Sequence, residues 1–406
     1  MSTHTTEPTG SSEPAEGAER HGGLPLAALL ALATAVFVTS LTETLPAGVL
    51  PAMSADLGVG ESAMGQSVTV YAIGTAVTAI PLSAATAGWR RKRLLLTAMA
   101  GFAAANTVTA VSTDYSLTMA ARFVAGVAAG LAWALLAGYA RRLAPAHLQG
   151  RAIAIVMTGI PVALSLGVPA GTFLGEVLGW RVTFTLMTVL AVALLGWITA
   201  GVPDQPGQRR GAAGRVAVLR VLTVPGVTPV LFVTLVFVLA HTILYTYIAT
   251  FLDGLGMGGS TDLVLLVFGV ASLAGIWFVG ARIDRRLRAL TLASALLVAV
   301  SAALLAVPAD SPALVYAAVA LWGLGWGGAP TLLQTAVTDA GGDSADAAQA
   351  ALVTLWNAAM AGGGVAGGVL LDHLGTGSLP WSVLLLLIPV VVVVARGQGF
   401  PAGGER

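Results

Sequence analysis

The chain has 406 residues, of which 56% are hydrophobic and only 10% charged, with 20 basic against 19 acidic side chains. No water-soluble core of this size could hide so much apolar surface, so lipid is the solvent for most of the protein. There are no cysteines, which excludes disulfides, thiolate metal sites and cysteine nucleophiles.

Residues 1–23 are polar and rich in Ser, Thr, Glu, Gly and Pro, the composition of a disordered tail. The tail is too acidic and too long to be the n-region of a secretory signal, so the first apolar run is expected to stay in the chain. Hydrophobic helices are predicted over 26–50, 62–84, 94–113, 116–139, 152–174 and 182–202, then, after a polar loop at 202–225, over 226–251, 262–281, 289–308, 312–337, 347–370 and 379–396. Each approaches the roughly 20 residues that cross a bilayer core. They are too long and continuous for barrel strands, and lipid permits no other backbone arrangement. The fold class is therefore an all-α membrane protein with twelve transmembrane helices. Residues 24–201 and 226–396 form its halves, and 397–406 form a second tail.

Orientation follows from the basic residues. Arg90, Arg91, Lys92 and Arg93 lie between spans 2 and 3, and Arg141, Arg142 and Arg151 between spans 4 and 5. Arg209, Arg210, Arg215 and Arg220 lie in the central loop, and Arg282, Arg285, Arg286 and Arg288 between spans 8 and 9. All fall on one side, whereas the other side carries acids and only Arg181 as a base. The expectation is a multi-pass protein of the cytoplasmic (inner) membrane with both termini and the central loop in the cytoplasm. The loop between spans 10 and 11, with Asp339, Asp343 and Asp346, departs from that rule and is outvoted.

The halves echo each other. A shift of 196 residues carries Gly167, Gly171, Glu176 and Gly179 onto Gly363, Gly367, Asp372 and Gly375, and Arg90 and Lys92 onto Arg286 and Arg288. A shift of 197 carries Gly126 and Gly130 onto Gly323 and Gly327. A parallel repeat of six spans predicts two pseudo-symmetric six-helix bundles with a substrate site between them near the midplane.

Four local motifs extend this picture. They are Thr42 to Met53 (TETLPAGVLPAM); Arg122-Phe-Val-Ala-Gly126; Gly159-Ile-Pro161 followed by Gly167-Val-Pro169-Ala-Gly171 and Gly175; and Gly280-Ala-Arg-Ile-Asp284-Arg285-Arg286. With them the chain, over about 24–396, resembles the twelve-span transporters of the major facilitator superfamily. It is most similar to the drug:proton antiporters and the related sugar-efflux branch. The resemblance implies the major facilitator fold and a monomer. It also implies an antiporter motif in span 5 (Gly159, Pro161, Gly167, Pro169, Gly171, Gly175) whose kink seals the cytoplasmic leak path. Asp284, Arg285 and Arg286, with Arg90 and Arg91 in the first half, are the implied cytoplasmic gate. The first-half loop departs from the family pattern: Gly88-Trp89-Arg90-Arg91-Lys92-Arg93 lacks the usual acid.

Ionisable residues inside spans are expensive and are functional candidates by default. Glu43 late in span 1 and Arg122 early in span 4 are expected at similar depth in the outer half. Desolvation favours a protonated carboxyl and a nearby guanidinium favours a carboxylate, so Glu43 reads as the proton carrier and Arg122 as its electrostatic partner. The bland alternatives are a Glu43 at the outer interface, by a span end broken near Pro46, and a snorkelling Arg122. His241 reads chiefly as a neutral, hydrogen-bonded cavity residue beside Tyr245, and less as a second proton carrier. Asn357, Trp133 and Trp326 are candidate cavity walls, with helix packing as the alternative. The tail and central loop are expected to contribute little to the chemistry.

The functional expectation is a secondary active efflux transporter exchanging protons for a small amphipathic drug-like compound by alternating access. A sugar or metabolite exporter of the same branch is the alternative. A polytopic membrane enzyme is remote, because no paired carboxylate or histidine cluster marks a catalytic face. No Gly-x-x-x-x-Gly-Lys-Ser/Thr loop is present for a nucleotide-driven pump. No cofactor, metal or nucleic-acid partner is expected; the partners are the small-molecule substrate, protons and the bilayer.

Overall fold

The computed structural model describes residues 24–86, 88–145, 148–207, 222–307 and 311–400. Residues 1–23 and the arginines at 209, 210, 215 and 220 lie outside that set. The first bundle contains α1 (Leu26–Leu57), α2 (Glu61–Thr86), α3 (Arg91–Val111) and α4 (Tyr115–Leu143). It continues with α5 (Gln149–Met157), α6 (Gly159–Val162), a π turn (Ala163–Gly167), α7 (Val168–Leu178) and α8 (Trp180–Gly201). The second bundle begins with α9 (Val227–Thr246), α10 (Ile248–Gly254), α11 (Thr261–Gly280) and α12 (Ile283–Ala306). It ends with α13 (Pro312–Gly327), α14 (Ala329–Gly341), α15 (Ala345–Leu374) and α16 (Ser378–Ala395). Among the described residues, eleven segments are long and apolar enough to cross a bilayer. With α2 as the remaining crossing, the chain is a twelve-span helical membrane protein. Odd-numbered spans leave the face on which residue 24 lies, here the terminal face, and even-numbered spans return to it.

Prolines explain two of the irregularities that the hydropathy pattern hides. Pro169 has no N–H for the carbonyl four residues earlier, and the backbone slips to a π register in which the Val168 N–H donates to Ala163. The fifth span is thus built from α5, α6, the π turn and α7 instead of one kinked rod. Pro330, at the first turn of α14, likewise accompanies the break between α13 and α14. The seventh span breaks at Tyr247. The first span runs on to Leu57 through Pro46 and Pro51, and stops at Gly58, whose φ of 64° is a left-handed cap. It is not broken near Pro46, and Glu43 lies near its middle. The stretch 397–400 begins no free tail: Phe400 is fully buried.

The glycine repeat is a packing repeat. α2 packs on α4 and α11 on α13. A Cβ at Gly126 would strike the Tyr71 carbonyl and come within 3.1 Å of the Gly74 Cα; one at Gly323 would strike the Phe268 carbonyl. The antiporter-motif glycines face α1: a Cβ at Gly167, Gly171 or Gly175 would meet Phe37, Leu45 or Val49. Their counterparts Gly363 and Gly367 face Thr242 of α9 and Tyr247. Small residues allow this close approach in lipid, where no hydrophobic force drives helices together.

The two bundles meet away from the terminal face. Gln66 and Thr69 of α2 donate to the carbonyls of Gly364 (3.3 Å) and Ala361 (3.1 Å) on α15, and the Tyr247 hydroxyl donates to the Ser62 carbonyl at 3.3 Å. The π turn and α7 lie against α11. Buried apolar residues divide accordingly. Ala28 to Val38 of α1 belong to a cluster made of first-bundle residues, whereas Leu41 to Met53 of the same helix belong to a cluster that joins residues of both bundles. The contacts described between the halves therefore lie towards the opposite face.

Replacing Gly126 by Val should cost about 2 kcal/mol, as overpacked cores do, and lower the thermal midpoint of the purified protein. Gly138→Val on the same helix, where a Cβ meets nothing within 4 Å, should leave it unchanged. Equal midpoints for the two variants would contradict this packing.

Candidate functional site

The site grows from one missing backbone donor. Pro46 cannot supply the N–H that the Thr42 carbonyl would accept in an uninterrupted helix. In its place Arg122 of α4 donates Nη1–H to the Thr42 carbonyl at 2.7 Å, and its Nε–H to the Ser67 carbonyl of α2 at 3.4 Å. Arg122 is only 1% exposed. Its guanidinium lies 4.9 Å from the Tyr71 ring centre, and Tyr71 in turn donates to the Thr39 carbonyl at 3.4 Å. Asn106 of α3 donates its amide to the Thr42 hydroxyl at 3.3 Å. Four spans thus converge on the peptide immediately ahead of Glu43.

Glu43 itself is half-buried, and no salt bridge joins it to Arg122. The Nη2 of Arg122 and the Ser67 hydroxyl are buried without a hydrogen-bond partner. A guanidinium is charged at every physiological pH. The site therefore holds a fixed positive charge, a free donor and a nearby carboxyl that can be charged or neutral. Snorkelling of Arg122 to a surface is excluded by its burial.

Across the seam stands an aromatic group from the second bundle. The His241 ring stacks on Trp326 with centroids 3.5 Å apart and planes within 5°. Tyr245 is 5.2 Å and Phe268 6.0 Å from His241. The indole N–H of Trp322 donates to His241 Nδ1 at 3.1 Å. The helix that carries Tyr245, α9, packs against α1 of the first bundle. Trp356, half-buried, packs 5.7 Å from Trp326, and its neighbour Asn357 is half-buried with its amide bonded to the Val353 carbonyl at 2.9 Å. Trp133 is not in this group; it is half-buried and packs on the first-bundle cluster. Trp322, which flanks the span-10 glycines with Trp326 and reads from sequence as either a cavity wall or a packing residue, is brought against His241.

Of the gate residues, the first-half bases are engaged by the start of the central loop. Arg90 forms an ion pair with Asp204, just beyond α8. The Lys92 N–H donates to the same carboxylate at 3.2 Å, and the Arg91 N–H to the Gln205 carbonyl at 2.9 Å. Tyr139 and Arg142 of α4 donate to the Pro203 and Pro206 carbonyls at 2.8 and 2.7 Å. The acid missing from the 88–93 loop is thus supplied by the start of the central loop, which straps α3 to α4. Arg285 and Arg286 are exposed, and the Asp284 side chain lies outside the described residues. Gly159, Pro161 and Pro169 sit where α5 gives way to α6 and the π turn to α7, with Gly159 and Pro169 buried.

Removing the Arg122 donor should strand the Thr42 carbonyl. Arg122→Met is expected to cost about 2 kcal/mol in thermal or denaturant unfolding of the purified protein. Adding Pro46→Ala, which restores the backbone N–H, should recover about 1 kcal/mol of that loss. A double variant no more stable than the single one would refute the clamp.

Comparison with known proteins places this architecture. A family model described as Major Facilitator Superfamily matches residues 32–364. The Pseudomonas aeruginosa protein named transcription regulatory protein OpdE is 30% identical over 382 residues, covering 92% of this chain and 95% of its own. The purine ribonucleoside efflux pump NepI of Escherichia coli K12 is 28% identical over 373 residues, covering 91% and 93%. The crystal structure of the human organic anion transporter MFSD10 shares the fold, with a TM-score of 0.68 at 15% identity over 91% of this chain and 99% of that one.

Proposed function

The chain belongs to the Major Facilitator Superfamily, and on that premise we propose that this transporter is a proton-driven exporter of small organic compounds. The observation that carries the reading is the half-buried Glu43 in mid-span, one peptide from a buried, incompletely bonded Arg122. A proton on Glu43 removes a charge from the seam between the bundles; its loss restores an acceptor beside the free Arg122 donor. Two such states differ in their affinity for the open and closed arrangements, and that difference is what couples a proton to a conformational change.

With the basic loops and the terminal face in the cytoplasm, the seal on the opposite face makes the structure inward-facing. Cargo enters from the cytoplasm, and the bundles rock about the seam as rigid bodies. Protonation of Glu43 from outside favours release of cargo, and deprotonation inside restores affinity. In the outward-facing state Asp284, Arg285 and Arg286 would close the terminal face, while the span-5 glycines keep α1 and the fifth span locked together in both. The protein works as a monomer in the cytoplasmic membrane.

For the cargo, the uncharged aromatic wall around His241 suits a neutral or weakly amphipathic compound. A drug-like amphipath fits that wall. The relatives named as purine ribonucleoside efflux pumps favour the alternative, a metabolite exporter.

In liposomes carrying a trapped pH dye and an imposed proton gradient, wild-type protein should give cargo-evoked proton movement. Glu43→Gln should lose it by at least tenfold while still exchanging cargo across the membrane. Proton movement equal in both proteins would reduce Glu43 to a structural residue.

A further inference from the structure

We infer that Trp322 and His241 form a recognition site for a planar, uncharged nitrogen heterocycle, with Trp322 as the positioning residue and the His241 Nε2–H as the donor. The inference rests on the exporter reading and adds to it the chemistry of the cargo and two residue roles.

The bond between them decides the protonation pattern. An indole N–H can only donate, and Trp322 donates to His241 Nδ1 at 3.1 Å. Nδ1 must then be unprotonated, so the neutral ring carries its proton on Nε2. His241 is 8% exposed, and among the described residues no acceptor takes that second N–H. Nε2 is not among the sealed-off, unpartnered side-chain atoms of the described residues, so it opens into the seam, where water or cargo can accept its N–H. The site thus presents one directed donor, and Trp322 keeps it a donor.

The surroundings set the shape of the partner. His241 is stacked flat on Trp326, which fixes the plane in which Nε2–H points. Trp356, half-buried beside Trp326 at 5.7 Å, adds a further aromatic ring to the group. A flat ring lying on such faces with a ring nitrogen or carbonyl towards Nε2–H gains both stacking and a hydrogen bond. An aromatic box can also hold a cation. The donor argues against that use, because an N–H aimed at a cation repels it.

Isothermal titration calorimetry on the purified full-length protein tests this with adenosine, ribose and choline as probes. Wild type should bind adenosine, and neither ribose nor choline should displace it at equal concentration. Trp322→Phe, which keeps a ring but loses the N–H, should weaken adenosine binding about tenfold, and so should His241→Leu. His241→Gln, which retains a side-chain N–H donor, should bind within about threefold of wild type. Thermal midpoints close to wild type confirm that each variant is folded. The inference is overturned if wild type does not bind adenosine, if choline or ribose displaces it equally well, or if Trp322→Phe and His241→Leu bind like wild type. Glu43→Gln separates the two readings: adenosine binding that follows the predicted pattern without any proton movement would remove proton coupling and leave this site standing.

Discussion

Arg122 carries a permanent charge into the interior of the first bundle, and the surrounding spans are arranged to accept it. Placing a guanidinium in a membrane costs several kcal/mol unless backbone carbonyls or carboxylates take its donors. Pro46 creates such a carbonyl at Thr42, Ser67 offers another, and the Tyr71 face covers the cation. Because those partners come from α1 and α2, the charge ties both helices to α4. Asn106 adds α3 through the Thr42 hydroxyl. The first bundle is held at one depth by this knot, and Glu43 is the next residue along α1.

The incompleteness of the knot is as informative as its bonds. Arg122 Nη2 and the Ser67 hydroxyl have no partner, and the one carboxyl nearby is not bonded to the guanidinium. A structural ion pair would close all donors in every state. Leaving one open lets a carboxyl that gains and loses a proton change the energy of the seam. The helix α9 that carries His241 and Tyr245 packs against α1, so the proposed proton site and the proposed cargo site lie at the same seam. Coupling then needs no long path: both ligands act on the contact between the two bundles, the element that moves.

Much of the fold was legible because lipid leaves few choices. Twelve apolar runs were enough for the spans, and a repeat of glycines for the division into two halves; the pairings of 2 with 4 and 8 with 10 appear only in the packed structure. The prolines were legible as residues but not as consequences. Pro169 gives a π register, Pro330 a break, and Pro46 neither, because Arg122 replaces the bond that Pro46 removes. Glu43 and Arg122 stood out by rarity, since charges in spans are scarce. Their partners did not, because Thr42, Ser67 and Asn106 are unremarkable polar residues until four helices are brought together. Asp204 was overlooked for the opposite reason: it lies in a polar stretch where an acid is ordinary, although four bases at 90–93 lacked one. Trp322 was visible as an aromatic, but its role depends on which nitrogen of His241 it meets, and no periodicity carries that.

The claim on which the rest hangs is that Glu43 takes up and releases the coupled proton. Infrared difference spectroscopy of the protein in lipid, stepped from alkaline to acidic buffer, reads this directly through the stretch of a protonated carboxyl shielded from water. The account predicts one such band in wild type, its loss in Glu43→Gln, and its retention in Glu176→Gln. A band that persists unchanged in Glu43→Gln would contradict it.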